Sequence, residues 1–364
     1  MRRILALHPS DELYGADRVL LDAVDVLARR GQVTVWLADD LPYPGRPLSA
    51  RLAEEGVRVL RRPIPVLRRA HLRPRAVPAL LRRCWRTVRA LRRERPAVVY
   101  LSTSATLLAG PLARLAGARV VLHLHETWQG PERHLLRLLA RSCHRVVAVS
   151  VAAARATGLK DVRVVHNGVD LAPSATPERR SELRARAGAG EGEILAVVAS
   201  RWNDWKGHPT LLAAWAGLRR EDLRLVVLGG PPPTGGVDVP GLAARLRGVH
   251  VLGEVPEVRE WFEAADLVLV PSTRPEPFGL VAVEAAALAR PVLASRTGGL
   301  TETVVDGRTG LLLPPGDVEA WREALEGLDA GWLRQAGEAA RLRYEERFTR
   351  GRFARDLARA TKGV

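Results

Sequence analysis

The sequence predicts an α/β protein made of two doubly wound parallel-sheet units, and three observations carry that prediction. Short apolar runs alternate with segments whose apolar residues recur at helical spacing. The alternation pauses in a Pro-, Ser-, Ala- and Gly-rich stretch, residues 173–192, and then restarts. The 364 residues, 47% hydrophobic and 26% charged, are enough for two ordinary cores.

In the first half, residues 4–7 read as a strand ending in a turn. Gly15 then opens a helix whose Val19, Leu20, Ala23, Val24 and Leu27 share one face, and Gly31 stops it. Residues 33–38, 56–60, 97–101, 118–124, 145–149 and 162–165 continue the strand series. In the second half, residues 194–199, 223–228, 249–252, 267–270, 291–294 and 310–313 are strands, with helices predicted at 208–219, 258–265, 278–288 and 317–328. Residues 332–362 read as one long charged helix. Strands alternating with helices build a parallel sheet covered on both faces. The division expected is 1–170, 171–345, and a terminal helix, 346–364, packing back on the first domain.

Two distant cysteines, Cys84 and Cys143, make no disulfide framework and fit a reducing compartment. The apolar start is too short for a signal peptide, and no window offers the roughly 20 apolar residues of a membrane span. A cytoplasmic protein is expected. The net charge of +16 lies wholly in residues 1–170, with 30 Lys+Arg against 14 Asp+Glu, while residues 171–364 balance at 26 each. Between Arg61 and Arg95 there are 13 arginines and one acid, Glu94. Two readings stand: a surface for anionic lipid on the inner face of the cell membrane, or the arginine habit of a GC-rich genome, since the chain has only three lysines. Nucleic acid is not expected, because the segment has one aromatic, Trp85, where single-strand binders use several.

The chemistry-bearing motifs fall at predicted strand ends, where open α/β sheets bind ligands. Tyr14-Gly15-Ala16-Asp17-Arg18 puts a glycine where the backbone can approach a ligand at a helix N-terminus, or simply makes a turn. Arg201 and Lys206 stand five residues apart after the strand 194–199, a pairing that suits a diphosphate. Glu276 and Glu284 bracket a helix start, with the N–H groups of Phe278, Gly279 and Leu280 between them. Glu276 is expected in a loop and Glu284 inside the helix; eight residues of helix advance about 12 Å, roughly the span of a sugar nucleotide. Glu284 lies in an apolar helix, where a charge needs a partner. His123 and His125 share one face of a strand, and a lone HxH is a poor zinc site. His125, nearest the strand end, is the expected functional one. Residues 165–170 (VHNGVD) and the turn at Gly298 and Gly299 fit either turn chemistry or a close ligand approach.

Together these pieces, in this order along nearly the whole chain, resemble the family 4 retaining glycosyltransferases (group 1) of the GT-B fold: the glycine turn at Gly15, His125, VHNGVD, R-x4-KG, EPFGLVAVEA and GGLTETVVDGRTGLL. The resemblance implies two Rossmann-like domains facing a cleft, an N-terminal acceptor side and a C-terminal nucleotide-sugar side. It implies that Arg201 and Lys206 hold the donor diphosphate, Glu276 the sugar hydroxyls and Glu284 the ribose. Backbone amides of Phe278, Gly279 and Leu280 would contact sugar or phosphate, with His125 beside the donor sugar and Gly15 near phosphates or acceptor. Tyr14 departs from the glycine pair usual in the first loop.

The expected reaction moves a hexose from a nucleotide diphosphate donor to a glycan, glycolipid or other acceptor, in polysaccharide or glycoconjugate assembly. Retention is expected by front-face attack, with no cofactor and no metal, since no Asp-x-Asp pair is present. The alternatives are a non-catalytic GT-B protein that binds a nucleotide sugar or a partner, and a GT-B epimerase or phosphorylase.

Overall fold

The computed structural model describes every residue except 1, 44, 69–73, 171–172 and 233–234. Its contacts divide the chain into two compact units, Met1–Gly168 with Arg350–Val364, and Val169–Thr349. The expected division point at residue 171 lies outside the described residues.

The first unit runs β1 (Arg3–His8), α1 (Gly15–Ala28), β2 (Gln32–Ala38), α2 (Pro47–Glu54), β3 (Arg58–Arg62), α3 (Val77–Glu94), β4 (Val98–Leu101) and α4 (Ala109–Leu115). It continues with β5 (Arg119–Leu124), α5 (Glu132–Ala140), β6 (Arg145–Ala148), α6 (Val151–Thr157) and β7 (Val162–Val164). Among the described residues these strands form one parallel seven-stranded sheet in the order β3-β2-β1-β4-β5-β6-β7. The chain starts in the middle, moves to one edge, then returns to β4 and moves to the other. Right-handed crossovers put helices on opposite faces before and after that reversal. The reversal leaves a crevice at the carboxyl ends of β1 and β4, the usual ligand position in such sheets.

The second unit holds α7 (Pro177–Arg186), β8 (Ile194–Ala199), α8 (His208–Ala216), β9 (Leu223–Leu228), α9 (Val239–Ala243), β10 (Val249–Gly253), α10 (Val258–Ala264) and β11 (Leu267–Val270). There follow α11 (Leu280–Ala287), β12 (Val292–Ser295), α12 (Leu300–Thr303), β13 (Gly310–Leu313), α13 (Val318–Glu326) and α14 (Ala330–Arg347). Its parallel six-stranded sheet has the order β10-β9-β8-β11-β12-β13, with the reversal between β8 and β11.

The runs in β8 and β11 are apolar at every position because both faces are covered. Ile194, Ala196 and Val198 join the core under α8 and α13, while Leu195 and Val197 join the opposite core with Phe262 and Leu300.

The terminal segment departs from the sequence reading. It is not one helix: α14 ends at Arg347, Phe348 and Thr349 leave helical geometry, and α15 (Arg350–Ala360) follows. α15 belongs to the first unit, where Arg350 pairs with Asp22 at 2.6 Å and also with Asp25 on α1. Arg30 of that unit donates to Thr361, and Phe353 is buried. In the second unit, Val169 N donates to Phe348 O at 2.9 Å, so the two chain crossings lie side by side.

Candidate functional site

The clearest constellation lies at the sheet reversal of the second unit. The loop after β8 carries Arg201 to Gly207, and the loop after β11 carries Pro271 to Gly279. Because β8 and β11 are neighbours, residues 70 apart in sequence meet. Lys206 Nζ lies 2.6 Å from Glu276 Oε1, with the two side chains 20% and 8% exposed. Ser272 Oγ donates to the same oxygen at 2.6 Å. The ammonium also sits over the Trp205 ring, 4.2 Å from its centroid. Thr273 N donates to Trp205 O at 2.8 Å, and Arg274 pairs with Asp204 at 2.8 Å, which ties the two loops together.

An ammonium has three donors, and this one spends a single short contact on Glu276. Lys206 is thereby aimed, and both side-chain donors engage the same Glu276 oxygen, Oε1. Burial holds the His208 imidazole down at about 4; the Arg201 backbone opposes that shift and the Lys206 charge reinforces it. His208 is therefore neutral near pH 7 and leaves the local positive charge to Lys206 and Arg201. Arg201 is half-buried in the same loop.

Two glycines explain why the loops can lie so close. A Cβ on Gly207 would stand 1.8 Å from Pro271 O, and one on Gly298 would stand 2.1 Å from Glu276 O. Both residues also have positive φ, +77° and +57°. Gly299 N donates to Glu276 O at 2.7 Å. The glycine turn after β12 thus braces the Glu276 backbone from beneath.

The helix between the two glutamates is shorter than expected. α11 begins at Leu280, with Gly279 as its left-handed N-cap. The sequence predicts a helix from 278 with Glu276 in the loop before it, and spans the two glutamates with eight residues of helical rise. Only the second half of that interval is helical, so the 12 Å spacing does not apply. The Phe278 side chain is buried and meets Phe348 edge-on at 5.8 Å. The Phe278 side chain packs there. Gly279 and Leu280 stand at the helix start, whose first amides have no intrahelical acceptor. Glu284 is half-buried one turn further along.

The first unit gathers a separate cluster at its own sheet reversal. His8, the last residue of β1, is 1% exposed; its Nε2 lies 2.5 Å from Asp17 Oδ1 and its Nδ1 2.5 Å from Ser102 Oγ. Ser10 Oγ donates to Asp17 at 2.8 Å, and Tyr14 N donates to the other carboxylate oxygen at 2.8 Å. Burial alone would raise the Asp17 carboxyl, but the hydrogen bonds and charge of His8, with Ser10 and Tyr14, hold it below its ordinary value. Asp17 therefore locks the β1–α1 turn, and Gly15 opens α1 on that turn. Tyr14, in the place of the expected first glycine, is 46% exposed.

His123 is fully buried in β5, where its Nδ1 is hydrogen-bonded to Tyr100 Oη and burial holds it at about 3. His125 follows the strand end, half-buried, with its ring 4.3 Å from that of His123. Its pKa lies well below the ordinary value, through burial first and then repulsion from His123 and His8. The two rings share a face, as i, i+2 spacing on a strand requires, and His125 is the more exposed. Burial pushes the neighbouring Glu126 carboxyl up, against the Ser104 and His125 hydrogen bonds that lower it. Ser104 N donates to Glu126 at 3.2 Å.

Trp205, Ser272, His8 and Ser102 were not singled out from the sequence. Ser272 carries the one local signal, a polar residue two positions after an apolar strand and four before Glu276. Among the described residues no group of three His, Cys, Asp or Glu is placed to hold a metal ion.

The geometry can be set beside known proteins. Residues 14–173 match the model of Glycosyltransferase Family 4, and residues 192–329 match that of Glycosyl transferases group 1. The chain belongs to the family 4, group 1 glycosyltransferases. A D-inositol 3-phosphate glycosyltransferase of Arthrobacter sp. (strain FB24) is 38% identical over 192 residues, 50% of this chain and 45% of the relative. Another from Mycobacterium avium (strain 104) is 39% identical over 175 residues, 46% of this chain and 40% of the relative. The match thus spans less than half the length of these curated relatives. The crystal structure of Anabaena HepE in complex with UDP-glucose superposes with a TM-score of 0.85 over 100% of both chains, at 23% identity. The family 4 chain therefore has the GT-B fold, each parallel sheet being one of its two domains.

Proposed function

We propose that this family member is a retaining glycosyltransferase that moves a hexose from a nucleoside diphosphate to an acceptor, in glycan or glycolipid assembly. The observation that carries the reading is the Lys206–Glu276–Ser272 cluster at the β8/β11 reversal. A carboxylate held in place by an ammonium and a hydroxyl suits a sugar hydroxyl. Fixed cations beside it suit a departing diphosphate, stabilised where its charge develops. In this reading Lys206 and Arg201 take the charge that a divalent ion takes elsewhere, so no metal is needed. Glu284 takes the ribose, and the amides of Phe278, Gly279 and Leu280 take sugar or phosphate oxygens.

HepE is crystallised with UDP-glucose, which makes UDP the first nucleotide to try. The first unit takes the acceptor side, with His125 as a neutral hydrogen-bonding group and Gly15 in the acceptor loop. The same reading places the chain at an anionic membrane surface, where lipid-linked acceptors reside. Among the described residues no helix is long and apolar enough to cross a membrane.

Turnover separates this reading from its rivals. The purified chain, given a UDP-hexose and an acceptor panel, is expected to release UDP and to give a product with the donor's anomeric configuration. An altered sugar nucleotide formed without acceptor makes it an epimerase. A dependence on inorganic phosphate makes it a phosphorylase. Tight donor binding with no product under any condition makes it a binding protein.

A further inference from the structure

Eight of the arginines between Arg61 and Arg95 divide into two groups once the side chains are placed, with residues 69–73 outside the described part. The fold uses the first group. Arg61 pairs with the fully buried Asp11 at 2.6 Å, Arg68 with Asp40 at 2.6 Å and Arg83 with Asp39 at 2.6 Å. The second group lies on α3. Among the described residues Arg82, Arg86, Arg92 and Arg93 have no carboxylate partner, and Arg89 sits over the Trp85 ring at 5.6 Å.

α3 is exposed in an unusual way. Of its 18 residues only Thr87 and Leu91 are buried. At 100° per residue, Val77, Leu81 and Trp85 form a ridge along one exposed flank, about a quarter turn from the buried Thr87 and Leu91. They are 44%, 63% and 61% exposed. Arg82, Arg86, Arg89 and Arg93 follow on the adjoining flank. Beside that flank opens a cavity of about 240 Å³, lined by Arg86, Arg89 and Arg93 of α3, by Arg62 and Trp36, and by Glu94. Arg62 lies 3.5 Å from Glu94, and its Nε is buried without a hydrogen-bond partner. The cavity therefore sets four guanidinium groups against one carboxylate, and guanidinium forks match phosphate oxygens.

We propose that α3 docks this chain on an anionic lipid bilayer, the ridge Val77–Leu81–Trp85 entering the acyl boundary and the Arg62/Arg86/Arg89/Arg93 cavity taking a lipid phosphate. One surface then satisfies both the apolar ridge and the unpaired cations. A nucleic acid would use the cations and leave Leu81 and Val77 in water. The inference specifies the membrane side of the reading above, but it rests on the first unit alone and is tested apart from donor binding.

The full chain is to be sedimented with vesicles of phosphatidylcholine, and with vesicles in which part of it is replaced by phosphatidylglycerol. Binding is expected only to the second, and it is expected to weaken as salt rises. The triple variant Arg86→Ala/Arg89→Ala/Arg93→Ala is expected to lose about a hundredfold in partition. Leu81→Ser/Trp85→Ser removes the salt-resistant part of the binding. Arg247→Ala, an exposed second-unit control, is expected to bind like the parent. A blue shift of tryptophan emission on anionic vesicles is expected to disappear in Trp85→Phe. Nucleoside-diphosphate stabilisation stays unchanged in every α3 variant, so a failed donor site and a failed membrane site remain distinct results. Equal binding to both vesicle types, unchanged partition in the triple variant, or tighter binding to duplex DNA than to anionic vesicles overturns the proposal.

Discussion

Glu276→Gln is expected to abolish sugar transfer while leaving the second unit folded. The carboxamide has nearly the shape of the carboxylate, and its oxygen still accepts from Ser272, 2.6 Å away in the parent. The brace from Gly299 N to Glu276 O is a backbone bond and is untouched. What disappears is the negative charge that aims Lys206 and that, in the proposed function, accepts from a sugar hydroxyl. Losing one preorganised group of this kind costs on the order of a hundred- to a thousandfold in turnover. Release of UDP from the donor, measured beside the thermal unfolding midpoint, checks both halves. Near-normal turnover in a folded variant removes Glu276 from the donor site.

Lys206→Met is expected to do harm of a second kind. Glu276 is 8% exposed on its side chain, and its cation is Lys206. Deleting that cation leaves a nearly buried carboxylate with Ser272 as its remaining side-chain donor, at a cost of about 3 kcal/mol. The loops after β8 and β11 lose one of their ties, so the unfolding midpoint falls and nucleoside diphosphate no longer raises it. The double variant Lys206→Met/Glu276→Gln distinguishes the causes. With the charge already gone from position 276, removal of the lysine is expected to cost far less stability, while donor binding stays lost. Equal stability costs in the two backgrounds would mean that the ion pair contributes nothing.

The strands were legible because parallel strands covered by helices are written as near-continuous apolar runs, with Arg224 the one charge among the four that follow. Residues 194–199, 223–228, 267–270 and 310–313 read from the sequence are β8, β9, β11 and β13 to the residue. Sheet order is not written locally, and the site depends on it: Lys206 and Glu276 meet because β8 and β11 are neighbours across the reversal. The glutamate motif was read correctly as a helix start, but the helix was begun too early. Gly279, which gives the chain its left-handed turn, caps the helix, so Pro277 and Phe278 stay in the loop. The charge at the end of the chain hid a break at Phe348 and Thr349, where no proline marks it. The arginines of the first half looked alike in sequence. Only side-chain placement separates Arg61, Arg68 and Arg83, spent on acids from distant loops, from the other arginines of α3.

The central claim is that the second unit holds a nucleoside diphosphate with its own cations. Thermal unfolding of the purified chain with UDP, GDP, TDP or ADP, each with and without EDTA, tests it most directly. The account predicts that one diphosphate, UDP first, raises the midpoint, and that EDTA leaves the rise unchanged. A rise abolished by EDTA, or none with any of the four, would contradict it.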